Sequence, residues 1–351
     1  MKHPHQSSKN MIQNKPSISE ESIYRIYIQG RASAALAVAV HLQIFDLLTE
    51  EPQTVPLLAN KLSVHERGLR AILRSLSAVE ILQFHEESNS YSCSEAAKVY
   101  LCTNQPAYIG ALIDMEIENF LTPQKILASL RDDKPSVYES QDVWASHSED
   151  MEQAANFTAA MHSISTGPAI ALAEQVFWKD IHHILDVGAG SGALSIALLQ
   201  TYPHIKATLI DIPSVCNIAS QYLFQYGVHK RSEVIAFDMF SKQKPYPIGH
   251  DAILFSQILH DWNFEQGRLL LQKAYDALQD GGKVIIHEKL TDPHQNHAPI
   301  ENALVNLDML IWTEGQQYSF DDLHKILTEI GFREVQQIKT HTYWSCIIGK
   351  K

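Results

Sequence analysis

The chain reads as an α/β protein: a Rossmann-like doubly wound sheet, mostly parallel with its last strand antiparallel, behind a mainly α winged-helix N-terminal domain. Three observations predict this. Beyond residue 183 apolar strand-like runs alternate with helix-like runs, a turn with glycines at 188, 190 and 192 joins the first strand to an apolar helix, and a helix, turn, helix and hairpin pattern spans 55 to 93. At 351 residues the chain is long enough to bury two cores.

Residues 1–19 are polar, with His3 and His5, and read as a disordered tail. The winged-helix domain is expected over 20–105. Helical spacing over 22–48 sets Ile26, Ala34, Ala37, Val38, His41 and Phe45 near one stripe, whose small residues admit a close partner helix. Two short helices follow at 55–62 and 66–79, then a hairpin of 82–84 and 90–93 around Glu86-Glu87-Ser88-Asn89. Residues 106–178 read as a helical linker carrying the pocket helices, broken at Pro123 and Pro135, and 179–351 as the doubly wound domain, with the boundary within 165–180. Its strands are 184–187, 206–211, 233–237, 251–256 and 283–288, the fourth staying apolar to Leu259. Helices are expected at 214–226, 265–278, 300–312 and 320–330. The stretches 334–339 and 343–348 are close enough in sequence to pair antiparallel at the end of the sheet.

Composition narrows the partners. Forty acidic against 28 basic side chains give a net charge of −12, which opposes nucleic acid or an anionic membrane as the main ligand. Arg67, Arg70 and Arg74 do make a basic stripe on the second wing helix, but no further basic arm supports DNA contact, so the domain is expected to dimerise. The most apolar run, 32–40, is too short for a membrane span. Cys93, Cys102, Cys216 and Cys346 are scattered and form no framework, as in a reduced, cytoplasmic protein.

The glycine turn sits where a nucleotide binds, at the carboxyl end of a strand. Gly188, Gly190 and Ala193 formally satisfy a dinucleotide fingerprint, so the glycines alone do not choose the ligand. Asp186 does, because a pyrophosphate avoids a neighbouring anion whereas the ammonium and sulfonium of S-adenosylmethionine favour one. Gly192 completes the turn. Asp211 ends the second strand, where a carboxylate can accept from ribose hydroxyls. Asp238-Met239-Phe240 follow the third strand, where an acid can reach the adenine amino group and a flat or thioether side chain can cover the ring. After the fourth strand comes His260-Asp261-Trp262, facing the same crevice. Imidazole titrates near 6.5 and a phenol near 10, so proton transfer is uphill by roughly 5 kcal/mol, a cost that a forming bond to a sulfonium methyl offsets. Glu288, ending the next strand, is placed to hold the imidazole N–H.

These residues resemble the small-molecule O-methyltransferases that include caffeate-type and acetylserotonin-type enzymes. The resemblance spans almost the whole chain and is carried by Leu185-Asp-Val-Gly-Ala-Gly-Ser-Gly192, Asp211-Ile-Pro213, Asp238-Met-Phe240, Leu259-His-Asp-Trp262 and Met309-Leu-Ile-Trp-Thr-Glu-Gly315. It implies that Gly188, Asp211, Asp238 and Met239 hold the donor, that His260 is the base and Glu288 its orienting acid, and that Phe157, Met161, Asn302, Asn306 and Met309 line the acceptor pocket. It also implies a homodimer built on the N-terminal domain. Two positions depart from the pattern. Gln317 stands where a second acid is frequent, which would leave the histidine dependent on Glu288 alone, and Ser256 stands on the donor side where a lysine is frequent. His287, Glu288, His294 and His297 cluster without a compact ligand spacing, and no metal is expected. The reaction expected is methylation of a phenolic hydroxyl of an aromatic small molecule. The alternatives are methylation of a heteroaromatic nitrogen, a winged-helix regulator and a nicotinamide oxidoreductase.

Overall fold

The computed structural model describes residues 18–118, 120–137, 143–292 and 299–351. The chain divides into two compact units, one ending at Ser94 and the other running from Glu95 to Lys351. In the first, α1 (Glu21–His41) and α2 (Ile44–Leu47) replace the single helix expected over 22–48, because Gln43 adopts the left-handed conformation and ends the helical path. β1 (Gln53–Thr54), α3 (Val55–Leu62) and α4 (Glu66–Ala78) follow, α4 burying Leu69, Leu73 and Leu76 at helical spacing. The hairpin of β2 (Leu82–His85) and β3 (Ser90–Cys93) gains β1 as a third strand, in the order β1-β3-β2.

The second unit opens with α5 (Glu95–Tyr100), α6 (Gly110–Asp114), α7 (Pro123–Asp132), α8 (Val143–Glu149) and α9 (Met151–Ala173). Pro123 occupies the first turn of α7, where its missing N–H costs nothing, so it starts a helix rather than breaking one. α9 continues through Pro168, so residues 165–173 belong to that helix. The core of the unit is a sheet of seven strands: β4 (His183–Val187), β5 (Lys206–Asp211), β6 (Ser232–Ala236), β7 (Ala252–Ser256), β8 (Lys283–Glu288), β9 (Arg333–His341) and β10 (Trp344–Lys350). Their order is β6-β5-β4-β7-β8-β10-β9, and β10 enters antiparallel between β8 and β9. α10 (Ala193–Thr201), α11 (Pro213–Gln225), α12 (Phe264–Ala277), α13 (Ile300–Trp312) and α14 (Phe320–Ile330) complete it.

Strand periodicity builds the two faces. Ile184, Ala252 and Leu254 enter one apolar cluster with Leu198 and Trp178, whereas Leu185, Val187, Ile253 and Phe255 enter the other with Leu270 and Leu327. Winding runs outward from β4 to β6 and then returns to β7 beside β4. The crevice of this switch point lies past the carboxyl ends of β4 and β7.

Candidate active site

One wall of the crevice is the turn after β4. Gly188, Gly190 and Gly192 all have positive φ. A Cβ on Gly188 would stand 2.5 Å from Ile258 Cδ1, whereas one on Gly190 would meet nothing within 4 Å. Gly188 is therefore glycine for contact as well as conformation, and Gly190 leaves its backbone bare toward open space.

A buried acid, Asp186, and a half-buried one, Asp211, back this turn. Asp211 accepts from Gly190 N–H at 2.8 Å and Ile212 N–H at 2.7 Å, bracing the end of β5 to the turn. Asp186 accepts from Ser195 Oγ at 2.6 Å. Burial pushes the pKa of each to about 6, outweighing these hydrogen bonds, and the charge of Asp211 raises Asp186 further. Such a pair of poorly solvated acids is relieved by a bound cation, which fits S-adenosylmethionine and opposes a pyrophosphate. Asp238 is exposed at the rim and its Oδ1 accepts from Phe240 N–H at 2.9 Å, with Met239 and Phe240 half-buried beside it. Ser256, half-buried at the end of β7, makes no side-chain hydrogen bond among the described residues.

The opposite wall follows β7. The apolar run expected to 259 ends as a strand at Ser256, because Gln257 takes a positive φ of 56° and the chain turns into a short 3-10 helix, Leu259–Asp261. That helix carries His260, which is 7% exposed. Glu288, 1% exposed, accepts through Oε1 from Ile258 and Leu259 N–H, each at 3.1 Å, and so fixes the turn that bears the histidine. Its Oε2 stands at an ion-pair distance of 3.0 Å from His260 Nδ1 and has no hydrogen-bond partner among the described residues.

His260 does not depend on Glu288 alone. The Gln317 amide also meets Nδ1, its Nε2 standing 3.0 Å away; the amide turned by 180° puts Oε1, which has no partner among the described residues, in that place as a second acceptor for Nδ1–H. Asp261 Oδ1 lies 3.6 Å from Nε2, too far for a hydrogen bond, so that nitrogen keeps its lone pair for a ligand. Burial lowers the imidazole pKa, but Glu288 and Asp261 outweigh it and hold the pKa above its ordinary 6.5. Burial in turn raises Asp261.

Two positions 11 and 55 residues away from their partners complete the support. Asn306 Oδ1 accepts from Gln317 N–H at 2.8 Å, holding the loop after α13. Gly315 is pressed against the backbone of His260–Trp262: a Cβ there would lie 2.0 Å from the His260 carbonyl oxygen. Sequence spacing points to neither role, although both residues lie in or beside the quoted motifs.

An aromatic group gathers around Trp262 and Phe157. Trp262 meets Phe240 edge-on at 4.5 Å and Trp144 at 6.2 Å, and Phe157 meets Trp144 at 6.0 Å and Trp312 at 5.7 Å. Phe157 and Met161 are one turn apart on α9, and Met309 is buried on α13. Asn302 is a correction. Both its amide hydrogens are spent, on Leu290 O at 2.8 Å and Tyr343 O at 3.0 Å, and its Oδ1 is buried, so it ties the end of β8 to the last hairpin and lines no open pocket. Asp308, missed from sequence, is half-buried; burial pushes its pKa to about 6 while Lys289 and His260 oppose and Glu116 adds to the rise.

Among the described residues no group of three or more His, Cys, Asp or Glu could hold a metal ion, and no helix is long and apolar enough to cross a membrane. His294 and His297 lie outside the described residues.

A doubly wound sheet with an inserted antiparallel strand, and a glycine turn backed by acids, define the methyltransferase class of nucleotide-dependent enzymes. Comparison with known proteins narrows this. A family model of an O-methyltransferase domain matches residues 126–333 and one of an O-methyltransferase dimerisation domain matches 27–103. The 3-hydroxy-5-methyl-1-naphthoate 3-O-methyltransferase of Streptomyces sahachiroi is 30% identical over 87% of each chain. The N,N-dimethyltransferase OxyT of Streptomyces rimosus is 24% identical over 91% of this chain and 92% of its own. The fold is that of human N-acetylserotonin methyltransferase, solved in complex with SAM, with a TM-score of 0.85 over 97% of this chain and 99% of that one at 22% identity. The chain belongs to this O-methyltransferase family, and is an S-adenosylmethionine-dependent O-methyltransferase.

Proposed function

We propose that this enzyme methylates a phenolic hydroxyl of an aromatic small molecule of secondary metabolism, with His260 as general base and Glu288 as its orienting acid. The observation that carries the reading is the asymmetric environment of the imidazole: Nδ1 is 3.0 Å from Glu288 Oε2 and from the Gln317 amide, while Nε2 has no hydrogen-bond partner among the described residues, Asp261 Oδ1 standing 3.6 Å away. S-adenosylmethionine, when bound, supplies an electrophilic methyl on a sulfonium and adds positive charge that favours the neutral imidazole. Asp186 and Asp211 would hold its cationic and ribose parts, and Asp238, Met239 and Phe240 its adenine. The carboxylates that raise the His260 pKa narrow the gap to a phenol, so Nε2 accepts the proton as the aryloxide attacks. Phe157, Met161 and Trp312 offer flat or polarizable surface to an aromatic ring. The naphthoate relative carries the same kind of acceptor in its name.

The dimerisation-domain match and the exposed face of α1, with Ile23 74% and Ile26 76% exposed, support a homodimer. Four buried cysteines, scattered along the chain with no closely spaced pair, accord with the cytoplasm as its compartment.

The test is a screen of phenolic and heteroaromatic acceptors with labelled donor and mass analysis of the product, run beside His260→Ala. The variant is expected to lose turnover while binding S-adenosylhomocysteine as the parent does; full activity in it overturns the assignment. OxyT supports a second reading, methylation at nitrogen. A nitrogen lone pair needs no base, so a shallow dependence on His260 and on pH would select that reading.

A further inference from the structure

We propose that His162 is a positioning residue for the methyl donor: acting through Ser191, it sets the hydroxyl that receives the donor's carboxylate. His162 lies on α9, and Ser191 lies in the turn between Gly190 and Gly192. His162 Nδ1 is 2.8 Å from Ser191 Oγ, its Nε2 is 3.1 Å from the Tyr226 hydroxyl, and its ring lies 4.3 Å from the ring of Tyr222 on α11. Three elements that border the donor crevice thus meet at one imidazole.

Two polarities satisfy this chain, and in the proposed one the Tyr226 hydroxyl donates. Burial pushes the His162 pKa down to about 4, so the ring is neutral at pH 7 and has one N–H and one lone pair. If Tyr226 O–H donates to Nε2, Nδ1–H donates to Ser191 Oγ, and the serine hydrogen is left to point away from the ring. Ser191 then offers a donor, not a lone pair, to whatever occupies the turn.

The rest of the turn decides what that is. Asp186 and Asp211 crowd its floor with negative charge, and the Gly190 N–H is already taken by Asp211. The one anionic group of the donor, its carboxylate, needs hydrogen-bond donors away from those acids. Ser191 stands just before the nine-residue helix α10, whose N-cap Gly192 has no side-chain cap, so the positive end of that helix supports the same assignment. Helix α9 has a second polar fastening at Ser165 Oγ, which accepts from Gln257 Nε2 at 2.8 Å. Loss of the His162 bonds therefore leaves α9 anchored beside β7.

The experiment uses the full-length enzyme and two probes, S-adenosylhomocysteine and 5′-methylthioadenosine, which lacks the aminocarboxypropyl arm. Each is titrated calorimetrically into the parent, His162→Phe, Ser191→Ala, the double variant and His162→Asn, whose amide nitrogen takes the place of Nδ1. His162→Phe and Ser191→Ala should each weaken S-adenosylhomocysteine about ten- to hundredfold, as for loss of a hydrogen bond to a charged group. The double variant should weaken it no further, His162→Asn should restore it in part, and 5′-methylthioadenosine should bind all five forms within twofold. Donor KM should rise with Kd while kcat at saturating donor changes less than threefold. Equal weakening of both probes, additive effects in the double variant, or unchanged S-adenosylhomocysteine binding would each overturn the proposal. None of these outcomes depends on the acceptor, so they stand apart from the test of phenol methylation.

Discussion

Replacing Glu288 by Gln isolates the electrostatic part of the proposed catalytic arrangement with little change of shape. Glu288 Oε1 accepts from two backbone N–H groups, a task an amide oxygen performs equally well, so the variant side chain is held with its oxygen toward Ile258 and Leu259. Its NH2 then faces His260 Nδ1, where an oxygen stood 3.0 Å away. Two effects follow. The charge disappears: unit charges with centres about 4 Å apart interact by about 4 kcal/mol at an effective dielectric of about 20, which is roughly three pKa units. With burial now unopposed on that side, the imidazole pKa falls below 6.5. The second effect is on the tautomer, because a donor facing Nδ1 makes that nitrogen the acceptor and moves the proton to Nε2, where the acceptor hydroxyl needs a lone pair. Loss of a competent base costs on the order of 10²- to 10⁴-fold in kcat. The assay is transfer of labelled methyl from S-adenosylmethionine between pH 6 and pH 10, with calorimetric titration of S-adenosylhomocysteine as the check on folding. In the parent, kcat/KM should rise with pH through an apparent pKa above 6.5; in Glu288→Gln the limb should move down by two units or more. Activity within threefold of the parent with an unmoved limb would refute the reasoning.

Gly315→Ala should lower kcat about 100-fold with donor binding retained, because its Cβ would lie 2.0 Å from the His260 carbonyl oxygen and must displace the loop that carries Gln317; steady-state kinetics within twofold of the parent would remove Gly315 from the argument. His287, 1% exposed, has its pKa pushed down to about 3 by burial, with the charge of His341 adding to the effect. The unfolded chain binds a proton near 6.5 that the folded chain refuses, so this site withdraws stability as pH falls below 6.5, by about 2 kcal/mol at pH 5. In urea denaturation, His287→Gln should therefore gain about 2 kcal/mol on the parent between pH 7 and pH 5; a difference independent of pH contradicts the assignment.

What could be read along the chain was local. Alternation with a period of two marks the buried strands, and residues within a few positions of a strand's carboxyl end share its crevice, which is how Asp211, Asp238 and His260 were found. The break at Gln43 and the early end of β7 at Ser256 escaped, since both depend on single residues in the left-handed region, which glutamine rarely adopts. Asn302 misled because a polar residue on the inner side of a helix reads the same whether it faces ligand or two backbone carbonyls. Gln317 was read as a missing acid, yet its amide sits at the Nδ1 position all the same.

Sequence alone determined the donor: a glycine turn after a buried strand and an acid two residues before it are consecutive in the chain, so covalent connectivity places them together. It also singled out the proposed base, through a histidine just past a parallel strand. Tertiary structure decided how that base is held. Glu288, Gln317 and Gly315 converge on His260 only because β8 pairs with β7 and the loop after α13 folds over the 3-10 turn. The same holds for His162, whose bond to a turn 29 residues away exists because α9 packs against α10 and α11. Contacts between residues far apart in sequence depend on the closure of loops and on packing, and neither is written in the spacing of residues along one chain.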